Sequence, residues 1–276
     1  MGWHGHLHLD YRREGGRTVL RDRHEGPLRV LQSLYPEDPS ICHNVLVHPP
    51  GGLVAGDTLG VEVAVASGAH ALLTTPGATR CYRSTGATAR QAITLRVAAE
   101  ARLEWLPLET IAYSGCLAES ALRLELAPGA ETIGWDILAL GLPASEQPFA
   151  DGRYLQAIEM PGAWLERGVI DAHDRRLLDS PLGFAGRSVL ATLWFATGLP
   201  LAEARRDALL DAARAVAQDH VLAPWAGVTA AQPRVIVLRV LAPAVEPAHG
   251  LVTAVWRAWR EAAWGLAATP PRVWRT

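Results

Sequence analysis

The sequence predicts a mainly β fold, its strands stacked as an irregular β-helix or as a two-layer β architecture, with two helices in the C-terminal third. Three observations predict it. In Leu59-Gly60-Val61-Glu62-Val63-Ala64-Val65 the large apolar residues recur at every second position, which puts them on one face of a pleated strand. A strand, a small-residue turn and a second strand occur three times at intervals of about 30 residues. These units are residues 61–75 around Ser67-Gly68-Ala69, 94–107 around Ala98-Ala99-Glu100-Ala101, and 122–138 around Pro128-Gly129-Ala130. Beyond residue 200 the apolar spacing becomes helical.

Taken in order, short strands are expected at residues 18–20, 28–31, 59–65, 93–97 and 122–126, punctuated by Gly and Pro. The recurrence requires stacked β units; spacing alone leaves open a pair of packed sheets, a coil of strands, or a plain antiparallel sandwich of hairpins. Residues 201–221 form an amphipathic helix, with Ala202, Leu209, Leu210, Ala213 and Val216 at helical spacing. Residues 234–241 read as a strand, Pro243 and Pro247 as a turn, and residues 251–266 as a second helix ending before Pro270-Pro271. No linker marks a boundary, so residues 1–276 are expected to form one domain, with a β-rich body over 1–197 and a helix-containing part over 198–276.

Composition narrows the function. With 49% hydrophobic and 20% charged residues the chain is of the globular class. A formal net charge of -2 supplies no basic surplus for nucleic acid or anionic membrane, so partners are recognised locally. The sequence has no lysine, which excludes P-loop and Schiff-base chemistry. Cys42, Cys81 and Cys116 are odd in number and far apart, which suggests reduced thiols rather than a disulfide framework or a zinc ribbon. No secretory pattern and no apolar run of the roughly 18 residues a membrane span needs is present, so a cytoplasmic location is expected.

No GxSxG elbow, HExxH, GxGxxG or EF-hand loop occurs. His4, His6 and His8 alternate, so a strand there would present three imidazoles on one face, able to hold a divalent metal or simply to be solvated. Cys42 and His43 are both good nickel donors, but neighbours on a strand point to opposite faces. In the loop His48-Pro49-Pro50-Gly51-Gly52-Leu53-Val54-Ala55-Gly56-Asp57, Asp57 either bonds turn amides or stands at a metal entrance. Residues 74–84, with Thr75, Tyr82 and Arg83, form either a hydrogen-bonded turn or an anion cradle. Glu104 and Glu109 flank an apolar run, and a buried carboxylate needs a partner; either arginines such as Arg83 or Arg102 pair with them, or they line a hydrated passage. Trp256, Trp259 and Trp274, interleaved with arginines including Arg272, suit a partner-binding surface, although the spacing of Trp256 and Trp259 equally suits a core-facing helix.

Read together, Gly26-Pro27-Leu28-Arg29-Val30, Tyr35-Pro36-Glu37, Cys42-His43, the loop 48–57, the segment 74–84, Glu104-Trp105-Leu106-Pro107 with Glu109, Phe149 with Gly152, and Pro271-Arg272-Val273-Trp274 make the chain resemble the UreD (UreH) family of urease accessory proteins. The resemblance implies a β-helix-like protein with two helices. Its implied role is non-catalytic: it binds the urease apoprotein and UreF, and the GTPase UreG through UreF, so that nickel reaches the urease active site. It further implies no tightly bound cofactor, nickel only in transit, and an internal polar passage onto which Asp57, Glu104 and Glu109 are carried by position. The chain departs from the family pattern in the loop 141–146, where Leu142 stands in place of a common arginine and Ser145 in place of a glycine, while Glu146 is retained. The residues alone leave a second class open, a small β-rich hydrolase or ligand-binding module using residues 74–84.

Overall fold

The computed structural model describes residues 2–142 and 145–275. The chain opens with a hairpin, β1 (His4–Glu14) and β2 (Arg17–Glu25), and a short β3 (Arg29–Val30), and then winds into a coil of about four turns. The turns are β4 (Ile41–Val47), β5 (Gly52–Leu53) and β6 (Thr58–Val65); β7 (His70–Thr74), β8 (Thr79–Cys81) and β9 (Ala89–Val97); β10 (Arg102–Leu106), β11 (Thr110–Ala112) and β12 (Cys116–Leu126); and β13 (Glu131–Leu140) with β14 (Gly152–Met160). There follow β15 (Trp164–Asp171), α1 (Arg175–Asp179), β16 (Val189–Thr197), α2 (Glu203–Gln218), β17 (Ala226–Gln232), β18 (Val235–Ala242) and α3 (Val245–Trp264).

The recurrence seen in the sequence is this coil. β1, β6, β9, β12 and β14 lie side by side and parallel in one sheet. β4, β7, β10 and β13 do the same in a second. The register stacks equivalent residues: Val61 beside Ile93, and Ile93 beside Leu122. A sandwich of hairpins is excluded because the two strands of each unit sit in different sheets.

The three turns between sheets share one backbone solution. Gly68, Glu100 and Gly129 occupy equivalent positions with φ of 71°, 57° and 78°. The next residues, Ala69, Ala101 and Ala130, are buried, each donating its amide to a carbonyl three residues back. Glycine adopts that conformation without steric cost, whereas Glu100 holds it against about 1–2 kcal/mol.

Antiparallel strands close both ends. β2 runs against β1 and β15 against β14 in the first sheet. In the second, β3 opposes β4, and β16, β18 and β17 continue beyond β13. The edge strand β2 carries exposed Arg17, Arg21, Arg23 and Glu25.

Strand parity separates two of the three apolar cores among the described residues. Leu59, Val61, Val63, Leu103, Trp105, Val235 and Val237 meet between the sheets. Ile133, Trp135, Ile236, Leu238 and Val240 face away, toward α2 and α3. The second sheet is therefore covered on both sides, as its nearly continuous apolar strands require. α3 starts six residues before the expected 251, because Pro247 sits in its first turn, where a missing amide breaks no helical bond. Gly265 ends it at φ 64°, before Pro270. Among the described residues no helix is long and apolar enough to cross a membrane.

Gly134 in β13 is a packing requirement, since a Cβ there would lie 2.3 Å from Trp194 Cζ2 and 3.1 Å from the Trp105 carbonyl oxygen. Gly134→Ala is expected to lower unfolding free energy by about 1–3 kcal/mol through overpacking, measured as a reduced urea midpoint at unchanged slope.

Candidate functional site

β10 turns Leu103 and Trp105 into the core between the sheets and Glu104 to the helix side. α3 meets Glu104 with Trp256 and Arg260, which lie four residues apart and so share one face. Trp256 Nε1 donates to Glu104 Oε2 at 2.6 Å, and Arg260 Nη1 donates to Oε1 and Oε2 at 3.0 and 3.2 Å. His70 Nε2 on β7 donates to Oε1 at 2.7 Å. Glu104 and Arg260 are both 0% exposed.

Arg260 also holds Glu37, with Nη1 donating to Oε1 at 3.1 Å and Nη2 to Oε2, and His43 Nε2 donates to the same Oε1 at 2.8 Å. One guanidinium thus bridges two carboxylates, and each carboxylate carries a histidine. Burial by itself pushes the Glu104 carboxyl up. The bonds and charge from His70, the Arg260 charge and the Trp256 bond outweigh it and hold the group below the ordinary carboxylate value. The partners of Glu104 are therefore His70, Trp256 and Arg260, rather than Arg83 or Arg102. Arg102 instead lies over the Trp264 ring at 5.2 Å, and Arg83 is exposed, packed on Gly115.

A second polar group lies on the other side of the same sheet. Asp136 projects from β13 into a gap of about 70 Å³ between the sheets, whose lining includes Gln91, Trp105, His48, Thr75 and Thr79. Gln156 Nε2 donates to Asp136 Oδ1 at 2.5 Å. Burial, with the Glu166 charge second, pushes the Asp136 carboxyl up to about 6 against the pull of that bond. His48, Thr75 and Thr79 also line an outer depression of about 210 Å³ together with Gly51, Gly77 and Arg80, so the gap and the depression adjoin at the turn after β7. Burial lowers the His48 pKa, with the Asp57 charge acting in the opposite sense. The sequence reading missed Asp136, although a lone carboxylate in the apolar run 133–140 is the signal that drew attention to Glu104.

The other expected residues fall apart from one another. Asp57 is buried, accepting the Trp3 amide on Oδ1 at 2.8 Å and the Val54 amide on Oδ2 at 2.9 Å, and so closes its loop. Glu109 is half-buried, and its carbonyl accepts the Thr79 amide. Thr75 Oγ1 donates to the Gly77 carbonyl and accepts the Leu108 amide, while the Tyr82 ring packs on Tyr113 at 5.1 Å. Thr75, Tyr82 and Arg83 thus make a bonded turn and not a nucleophile with its base. Trp256 and Trp259 lie in the core at 0% exposure, where no partner reaches them, because their shared helix face is the one applied to the second sheet. Trp274 is half-buried, donating from Nε1 to Thr74 Oγ1 at 2.8 Å, and Arg272 is exposed.

The cysteines are buried, and desolvation raises all three thiols, Cys81 to about 12 and Cys116 to about 11. Cys42 and His43 point to opposite faces, one toward Asn44 and the sheet-sheet core, the other to Glu37. Among the described residues no three His, Cys, Asp or Glu side chains are gathered as a metal centre. In the loop 141–146, Leu142 and Gln147 exchange backbone bonds and Glu146 has φ 56°; Pro143 and Ala144 lie outside the described residues.

A model of the UreD urease accessory protein family matches residues 4–275. The chain is 60% identical over 276 residues to the urease accessory protein UreD of Variovorax paradoxus (strain S110), covering 100% of both. It is 60% identical over 278 residues to that of Leptothrix cholodnii, again covering 100% of both, and 61% identical over 274 residues to that of Albidiferax ferrireducens, covering 99% of both.

Arg260→Ala strands two interior carboxylates and is expected to cost about 3–5 kcal/mol in urea unfolding. The Glu104 contribution is fully present above its unfolded value, about 4.3, and is lost as pH falls through the lower folded value. Glu104→Gln should therefore flatten the acid limb of stability against pH. Asp136 has the opposite sign: stability falls as pH rises from about 4 to about 6, leaving a deficit on the order of 3 kcal/mol at pH 7.5. Asp136→Asn, which keeps an acceptor for Gln156, should recover much of that deficit, read as a higher urea midpoint at pH 7.5 and little change at pH 4.

Proposed function

The chain belongs to the UreD urease accessory protein family and is a urease maturation factor; on that premise we propose that it acts as a non-catalytic scaffold and metallochaperone for nickel insertion. It binds the urease apoprotein and UreF, and meets UreG through UreF, in the cytoplasm. Nickel is its cargo, passing through the interior rather than residing there. The observation that carries the passage is the gap between the sheets, where Asp136 lies within a mostly apolar lining and His48, Thr75 and Thr79 are shared with the outer depression, the mouth of the passage in this reading.

The three carboxylates read from the sequence enter this proposal differently. Asp57 holds the loop beside the mouth and tunes His48. Glu109 is half-buried between Leu108 and Thr110, which line the gap, and enters the passage only through its backbone carbonyl, which accepts the Thr79 amide. Glu104 faces the helices and fixes the sheet that forms one wall. Exposed Arg272 is the residue of this set offered to a partner, beside half-buried Trp274, which packs on Trp135 and Trp256.

Co-expression with a urease operon tests both parts. The wild-type chain should retain urease and UreF in a pull-down, and its deletion should leave urease depleted of nickel. Asp136→Asn should retain the same partners yet deliver severalfold less nickel, although it is the more stable protein at neutral pH. Full nickel content with Asp136→Asn refutes the passage, and failure to retain urease refutes the scaffold.

A further inference from the structure

On the outer face of the first sheet, polar groups are matched with one another. His4 is bonded to Thr58, while His6 and His8 turn to Glu62, a carboxylate that Arg96 also holds. A cleft on the helix side of the second sheet is different. It has a volume of about 360 Å³, and Gly68, Glu100 and Gly129 of the three turns line it together with Arg13 of β1, Arg205 of α2 and Arg102 of β10. Register sets His70, Arg102 and Glu131 in one row across β7, β10 and β13. The outer two of that row are occupied. His70 is bonded to Glu104, and Glu131 accepts Arg205 Nη1 on Oε1 and Trp264 Nε1 on Oε2, the latter at 2.6 Å. Arg102, between them, has no such partner. Among the described residues no carboxylate lies within ion-pairing distance of it, and its guanidinium lies over the Trp264 ring at 5.2 Å. Burial lowers its pKa, with the Glu131 charge opposing and the Arg205 charge adding to the fall. Arg13 donates from Nη1 to the Gly68 carbonyl at 3.3 Å, and the Glu100 carboxylate lies across Gly129, where a Cβ would be 2.0 Å from Oε1. Arg13, Arg102 and Arg205 against Glu100 and Glu131 leave one positive charge uncompensated in the cleft.

We propose that this cleft binds one small oxyanion, a carboxylate or a phosphate, on Arg102, with Arg13 as a second donor. A half-buried guanidinium has lost part of its hydration and still presents a planar fork of N–H donors, which a carboxylate or phosphate meets with two parallel bonds. The Trp264 contact restrains that fork without giving any of its N–H groups an oxygen acceptor. Arg205 stays on Glu131 and contributes charge alone. Glu100 opposes the anion. It occupies a left-handed turn position that the other two turns fill with glycine, so its carboxylate is kept in the cleft against a backbone cost. The site lies on the opposite face of the second sheet from the interior gap and is independent of the nickel passage.

The test uses full-length protein in Tris-chloride buffer, titrated with sodium phosphate and, separately, sodium acetate, and followed by calorimetry and through the arginine Nε–Hε resonances. Wild type should bind one equivalent, and the Arg102 resonance of the unmodified protein should move first, a readout that needs no variant to fold. Arg102→Gln should weaken binding at least about tenfold, the loss of one charge-assisted pair. Glu100→Gln should tighten it severalfold by removing a like charge, and Arg23→Gln, on β2, should leave it unchanged. Retention of urease from a co-expressed operon tells the source of the anion. Equal retention by Arg102→Gln, its fold checked by its urea midpoint, assigns the site to a free anion, and reduced retention assigns it to a carboxylate of the partner. The site is refuted if neither anion binds as one equivalent, if other arginine resonances move first, if Arg102→Gln binds as wild type does, if Glu100→Gln fails to tighten binding, or if Arg23→Gln weakens it as much as Arg102→Gln.

Discussion

The arrangement of the helix layer depends on Arg260. A guanidinium removed from water must find opposite charge within hydrogen-bonding distance, and here it finds two carboxylates from segments distant in sequence, Glu37 ahead of β4 and Glu104 on β10. The requirement works in both directions. Neither carboxylate tolerates its interior position without α3, and α3 has a single rotation that delivers Arg260 and Trp256 together. His43 and His70 take the remaining acceptor capacity from β4 and β7. Three neighbouring strands, the connector before them and the last helix are thereby specified by one hydrogen-bonded set. The apolar contacts around it drive burial but are not directional.

The same sheet carries a different chemistry on each side. On the helix side the two carboxylates are met by a guanidinium, two imidazoles and an indole. On the side facing the first sheet, Asp136 lies in a mostly apolar gap, and burial with the Glu166 charge pushes its carboxyl up to about 6. Asp136 is left to change its protonation near pH 6, whereas the Glu104 set is a lock. The two differ because residues of β10 and β13 two apart point alike, and Glu104 and Asp136 have opposite parity relative to the sheet.

Much of the coil was legible because its turns repeat small residues at a fixed spacing, and alternation in residues 59–65 told inside from outside. The strand partners were not. Parallel pairing is made by residues one coil apart, and nothing local distinguishes it from a hairpin until the register is known. The pairing of Glu104 with Arg260 spans 156 positions, and sequence proximity pointed instead to Arg102. Trp256 and Trp259 looked like docking aromatics because tryptophan beside arginine has two uses; the helix face decides between them, and here it is the buried one. The start of α3 was misplaced because proline reads as a breaker, although a first turn accepts it. Asp57, by contrast, does what a loop-closing aspartate is expected to do.

The antiparallel strands at the two ends of the coil have a consequence for how the molecule stays finite. Parallel coils offer each new layer the same template as the last, so a bare terminal layer would recruit copies and grow without limit, as fibrils do. Reversing the chain direction at β2 and β15, and studding β2 with arginines, removes that template. Evolution could therefore lengthen such a protein by inserting a whole layer between the ends, but losing either end strand would turn a finite coil into a seed.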